Sequence, residues 1–191
     1  MKPIITVGLA ALLASSGALA QQSGARGVFG IGLTTGGDTL ASVVFTDGSS
    51  QDIKAGGLVH LFGGVEFRAT QQVTMQVNVG YQVDDTGGAS NGSLRFSRYP
   101  IEALVHYQLN PNFRVGGGVR FVNNPKVAGS GVLSGINLEF DNNTGAIVEG
   151  EYTVTPNIGL KLRAVSEKYK PAAGGPSADG NQVGFYFSWY L

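Results

Sequence analysis

The chain has 191 residues, 13 Lys and Arg against 13 Asp and Glu, a formal net charge of zero, 30 Gly and no Cys. The balanced charge argues against nucleic-acid binding, which rests on a basic surplus. The lack of Cys excludes a disulfide scaffold, a thiolate metal site and a Cys nucleophile. The length suits one domain.

Residues 1–20 read as a secretory signal peptide. Lys2 gives a basic start, Ile4 to Leu13 is an apolar stretch, and Ala18-Leu19-Ala20 forms a small-residue cleavage site before Gln21-Gln22. The apolar stretch is too short to span a bilayer as a helix. The expectation is that residues 1–20 are cleaved and that 21–191 form a single domain. No later run is long and apolar enough for a transmembrane helix either.

The recurring pattern after Ala20 is alternation with period two. In chain order, the first segment sets Phe29, Ile31 and Leu33 against Gly30, Gly32 and Thr34. Residues 57–68 set Val59, Leu61, Val65 and Phe67 against His60, Glu66 and Arg68. Residues 73–83 alternate from Val73 to Val83, close to the roughly 9–11 residues a tilted strand needs to cross a bilayer. Residues 98–109 carry Tyr99, Ile101, Val105 and Tyr107 opposite Arg98, Glu102 and His106. Residues 113–122 carry Phe113, Val115, Val119 and Phe121 opposite Arg114, Gly116, Gly118 and Arg120. Residues 144–154 carry Ala146, Val148, Tyr152 and Val154 opposite Glu149 and Glu151. Residues 158–168 carry Leu160, Leu162 and Ala164 opposite Lys161, Arg163 and Glu167, and residues 181–191 carry Val183, Phe185, Phe187, Trp189 and Leu191 opposite Gly184, Tyr186, Ser188 and Tyr190.

These segments predict eight strands. Short links near Gln71-Gln72, Asn110-Pro111-Asn112 and Thr155-Pro156-Asn157 alternate with longer polar links at 84–93, 123–143 and 169–180. Short turns at one end and long loops at the other are the layout of a transmembrane barrel. Residues 39–46 also read as strand, and Asp47-Gly48 is a strong hairpin turn. Residues 27–46 are therefore expected to be one rising strand kinked at Gly36-Gly37, with 50–68 returning and the far part an exposed ribbon. Two separate extra strands are the alternative.

Alternation alone does not say which face is inside. Export, Gly density on the polar face, aromatics near the strand ends, and alternation that runs on to Leu191 favour apolar-out. With that assignment, Glu66, Arg68, Arg98, Glu102, Arg114, Arg120, Glu149, Glu151, Lys161 and Arg163 point into a lumen that side chains nearly fill. Buried charges must pair, and Glu149 and Glu151 flank the same short turn as Lys161 and Arg163. The lumen is then a plug of ion pairs or, on the functional reading, a narrow charged conduit.

On these residues the chain resembles the small eight-stranded outer membrane barrels of Gram-negative bacteria, the OmpA-like and OmpX-like group. The resemblance covers the whole of 21–191 and implies an all-β, antiparallel, up-and-down transmembrane barrel. Phe185, Phe187, Trp189, Tyr190 and Leu191 look like the C-terminal signal read by the barrel-assembly machinery, with Leu191 where an aromatic is usual. The implied partners are outer membrane lipid, lipopolysaccharide and that machinery. The implied function is structural or porin-like, or else surface binding through the long loops and the 38–54 hairpin. No cofactor or metal is expected, nor a cell-wall-binding domain after the barrel. An enzymatic role is not expected, because His60 and His106 fall at opposite ends of their strands.

Overall fold

The computed structural model describes residues 24–44, 48, 50–86 and 92–191. Every regular element in it is a strand: β1 (Ala25–Gly36), β2 (Thr39–Val44), β3 (Ser50–Lys54), β4 (Leu58–Arg68), β5 (Val73–Asp85), β6 (Gly92–Asn110), β7 (Phe113–Gly131), β8 (Asn137–Glu139), β9 (Asn143–Thr155), β10 (Ile158–Ser166), β11 (Lys168–Tyr169), β12 (Ala178–Asp179) and β13 (Gln182–Tyr190). The signal-peptide reading of residues 1–20 and residue Asp47 of the expected turn lie outside the described residues.

The main sheet runs β6-β5-β4-β1-β13-β10-β9-β7, and β6 pairs with β7 to close it. All of these pairings are antiparallel. β8 adds only to the far end of β7, so the closed barrel has eight strands. The first and last strands zip together from Val28 against Tyr190 to Gly36 against Gln182, which removes the free edges an open sheet would expose.

The faces sort as the alternation requires. The residues set outward include Leu162 at 67% exposure and Trp189 at 56%, with Ile31, Val77, Ile101, Val119 and Val148 between them around the wall. So continuous an apolar exterior has no place in water and suits a hydrocarbon bath. Phe67, Tyr107, Tyr152 and Trp189 ring the short-turn end, and Tyr81 stacks beside Tyr99 at 5.3 Å towards the other. The short links at 69–72, 111–112 and 156–157 lie at one end, which is the periplasmic side in barrels of this layout.

One expectation is corrected. Residues 27–46 are not one kinked strand, nor is 50–68 one return strand. β2 and β3 form a separate two-stranded sheet, so the two-extra-strands alternative holds. The break is local: Gly36 and Gly37 adopt φ of 125° and 73°, values that L side chains rarely reach, and turn the chain out of the barrel wall. The ribbon is not free either. Its tip residue Val44 is 73% exposed, but Ile53 and the adjoining Ala55 are fully buried.

They are buried in a second core outside the barrel wall. β6 and β7 have 19 residues each, roughly eight more than a membrane crossing needs. Their outer ends, together with β3, β11 and the 140 region, enclose Ile53, Ala55, Leu94, Phe96, Val122, Val127, Phe140 and Tyr169. Phe96, Phe140 and Tyr169 pack edge-to-face in a triangle, with centroids 5.3 to 6.0 Å apart. The outer end of the barrel is therefore covered by a small apolar cap.

Candidate functional site in the barrel lumen

The inward-facing charges lie on different strands, and cross-strand register sets them at matching heights. Arg163 stands opposite Glu149, Lys161 opposite Glu151, Arg114 opposite Glu151 and Arg120 opposite Glu102. Joined by ion pairs, they form one alternating chain. It starts at the periplasmic mouth with Arg26 to Glu66 at 2.8 Å, then Glu66 to Arg114 at 2.6 Å and Arg114 to Glu151 at 2.8 Å. It continues through Glu151 to Lys161 at 3.2 Å, Lys161 to Glu149 at 3.0 Å, Glu149 to Arg163 at 2.6 Å and Arg163 to Glu102 at 2.9 Å. Glu102 to Arg120 at 3.8 Å and Arg120 to Glu167 at 3.4 Å complete it under the cap. Each interior cation sits between two carboxylates, so no charge along the chain is left uncompensated in the low-dielectric interior.

Neutral groups tie the ladder to the wall. Tyr190 Oη donates to Glu151 Oε1 at 2.6 Å and accepts from Arg114 Nη2 at 2.6 Å. Asn78 Nδ2 donates to Glu102 Oε2 at 3.2 Å. Gln82 Nε2 donates to Gln182 Oε1 at 2.6 Å while its Oε1 accepts from Arg120. Tyr169 Oη donates to Glu167 Oε1 at 2.7 Å, which joins the ladder to the cap. Gly159 has no room for a side chain because the Glu151 carboxylate occupies that space.

Two of the expected lumen residues stand apart from the ladder. Arg68 is exposed at the periplasmic rim, because its position is the last of β4 and lies below the level where the wall encloses it. Arg98 is fully buried but joins no ion pair among the described residues. Its Nη2 donates to Gly57 O at 3.0 Å, its Nε and Nη1 meet no partner, and its guanidinium lies 4.6 Å from the centre of the Phe96 ring. It is a cation held by aromatic faces at the floor of the cap.

The sequence reading left out Arg26 and did not count Glu167 or Tyr190 among the lumen charges and their partners. All three are in phase with inward neighbours, Arg26 with Val28 and Gly30, Glu167 with Lys161 and Arg163, and Tyr190 with Tyr186 and Ser188. The two-residue period sets Glu167 and Tyr190 on the polar face of their segments, and extending it before Phe29 reaches Arg26. Tyr190 lies within the C-terminal aromatic stretch but alternates out of phase with its outward members. Phe185, Phe187, Trp189 and Leu191 do face out, whereas Tyr190 is buried in the lumen.

The two histidines have separate partners. His60 Nδ1 lies 3.3 Å from Tyr186 Oη, and His106 Nε2 lies 2.7 Å from Glu149 Oε1. A carboxylate only accepts, so the His106 Nε2 carries the proton. His106, Glu149 and Glu151 bring possible ligand atoms within 4.8 Å of one another. The same oxygens already hold Lys161, Arg163 and Arg114, so an added cation would face fixed positive charge, and the donor set does not fit a metal.

The family model described as outer membrane protein beta-barrel domain matches residues 7–190. Among solved structures, the chain is similar to Ail, the attachment invasion locus protein of Yersinia pestis (TM-score 0.56, 8% identity, 87% of this chain and 97% of that one). It is likewise similar to Neisserial surface protein A (TM-score 0.53, 13% identity, 88% and 98%). No curated protein matches it by sequence.

Proposed function

The chain belongs to the outer membrane protein beta-barrel family and resides in the outer membrane, and from that premise we propose that it is a sealed barrel with a structural role that does not conduct. The continuous ladder from Arg26 to Glu167 carries this reading. An ion entering the lumen would have to displace buried carboxylate–guanidinium pairs and then pass the apolar cap. Both steps cost several kcal/mol per exposed charge. We assign no enzymatic activity, since each His is engaged by a partner within the wall and neither is hydrogen-bonded to a Ser among the described residues. Cleavage after Ala20, lipopolysaccharide around the outer girdle, and recognition of Phe185, Phe187, Trp189 and Leu191 by the assembly machinery belong to the same proposal. Their support is the sequence pattern and the outward setting of those four side chains.

Single-channel recording in a planar bilayer tests this reading, on refolded protein whose gel mobility shifts with heating. Silence is expected at all voltages. Reproducible conductance steps from well-folded protein would overturn it.

The cap supports a second reading, a surface-binding role. β6 and β7 carry a folded core well above the membrane, and Val44, Val132 and Leu138 are exposed on it. Ail was solved with sucrose octasulfate, a heparin analogue. That sugar is a suitable first probe for the present cap, and saturable binding lost on deletion of 38–54 would favour this role.

A further inference from the structure

The periplasmic mouth carries an electrostatic imbalance that the lumen does not. A cavity of about 460 Å³ opens among the three short turns and the ends of β1 and β4, within the size range of small-ligand sites. Its lining includes Arg26, Arg68, Gln71, Gln108, Asn112 and Pro156 and contains no carboxylate. Glu66 lines an adjoining cavity with Arg26 and Arg68 and is already shared between Arg26 and Arg114. The ladder thus ends at this mouth in a cation.

The two arginines differ in freedom. Arg26 is fixed: its Nε donates to Glu66 at 2.9 Å, its Nη1 to Pro156 O at 3.2 Å, and its guanidinium lies 4.1 Å from the centre of the Tyr190 ring. The Arg68 guanidinium has no partner among the described residues, and only its backbone N–H is used, donating to Gly24 O. A free guanidinium presents a planar fork that matches a carboxylate or phosphate. The other polar groups favour a peptide over a bare anion. Gln108 Nε2 donates to Asn110 O and Asn112 Nδ2 donates to Thr153 O, so the amide nitrogens of these two lining residues are engaged and their side-chain carbonyls are left to accept. Inorganic phosphate offers at most one or two O–H donors from one centre, whereas a peptide has N–H groups spaced along its length.

We propose that this mouth is a binding site for a short acidic peptide with free carboxylates, of the kind that projects from the cell wall. Arg68 holds one carboxylate, Arg26 supplies the field, and the side-chain amides receive the peptide backbone. The site shares only Arg26, the outermost member, with the ladder, so it does not depend on whether the lumen conducts.

The test is calorimetric titration of refolded full-length barrel in micelles with a cell-wall stem tripeptide. The fully amidated tripeptide and inorganic phosphate serve as comparison ligands. Saturable binding to the acid form is expected, with roughly a tenfold loss in Arg68→Gln, as for one charge-assisted contact, and a larger loss in Arg68→Glu. Arg68 is exposed at the rim, so both variants should keep the heat-dependent gel shift that reports folding. The proposal is overturned if the acid form does not bind, if the amidated tripeptide or phosphate binds equally well, or if Arg68→Gln leaves affinity unchanged.

Discussion

At the scale of single residues, burial has opposite consequences for the two kinds of lumen charge. Glu149 accepts from His106, Lys161 and Arg163, so Glu149→Gln leaves two buried cations short of a carboxylate. Breaking such a set costs about 3–5 kcal/mol, and urea unfolding of the refolded barrel should show a loss of that size. Arg98 has no carboxylate to lose. Arg98→Met keeps a long flexible stem against Phe96 and removes a buried charge that no ion pair holds, so its unfolding midpoint should equal or exceed that of the native chain. A loss matching that of Glu149→Gln would mean that Arg98 is paired after all. Asp84 gives a pH signature. Burial raises its carboxyl above the usual range, against the opposing hydrogen bond from the Lys54 N–H at 2.9 Å. The neutral form therefore suits the folded state better than the charged form. Its contribution is full below the unfolded pKa and is lost as pH rises through the elevated folded value. Asp84→Asn should flatten that slope in unfolding midpoints measured between pH 4 and pH 7. An unchanged slope would exclude Asp84 as its source.

At the scale of strands, two kinds of edge decide the design. Barrel strands close on one another, and their outer faces meet lipid. Leu162 is in the middle of β10 and faces out at 67% exposure, so Leu162→Arg should cost about 2–4 kcal/mol if that face lies at the bilayer midplane. Unfolding from lipid vesicles measures this, and a cost near zero would place the residue outside the hydrocarbon. The β2–β3 ribbon follows other rules. It leaves the wall at two glycines and is held by burying Ile53 and Ala55 in the cap.

At the scale of the molecule, two barriers stand in series, the ladder and the cap. They can be separated. Deleting 38–54 removes Ile53 from the cap and leaves every ladder pair in place, so the barrel should still fold and remain silent in a planar bilayer. Steps should appear only when Glu149, Glu151, Lys161 and Arg163 are also neutralised, in protein that keeps its heat-dependent gel shift. Steps from the deletion alone would assign the seal to the cap.

The sequence by itself determined the barrel. A period of two repeated across segments of about ten residues, with short and long links in alternation, leaves few folds that satisfy every backbone group. It also set which charges share a face of each strand, because side-chain direction in a strand is a local property of the backbone. What it left open depends on contacts between residues far apart in the chain. The partner of Arg114 lies 48 positions away at Glu66, and Glu102 and Arg163 are 61 apart. Which charge meets which is set by the stagger of strands around the closed wall, which alternation does not encode. The same holds for the cap. Ile53, Phe96, Phe140 and Tyr169 carry no shared local pattern, and only closure of the barrel brings their segments over one end. Tertiary structure alone decided that Arg68 stands free at the rim, that Arg98 is buried without an ion pair, and that the inward charges join into one compensated ladder.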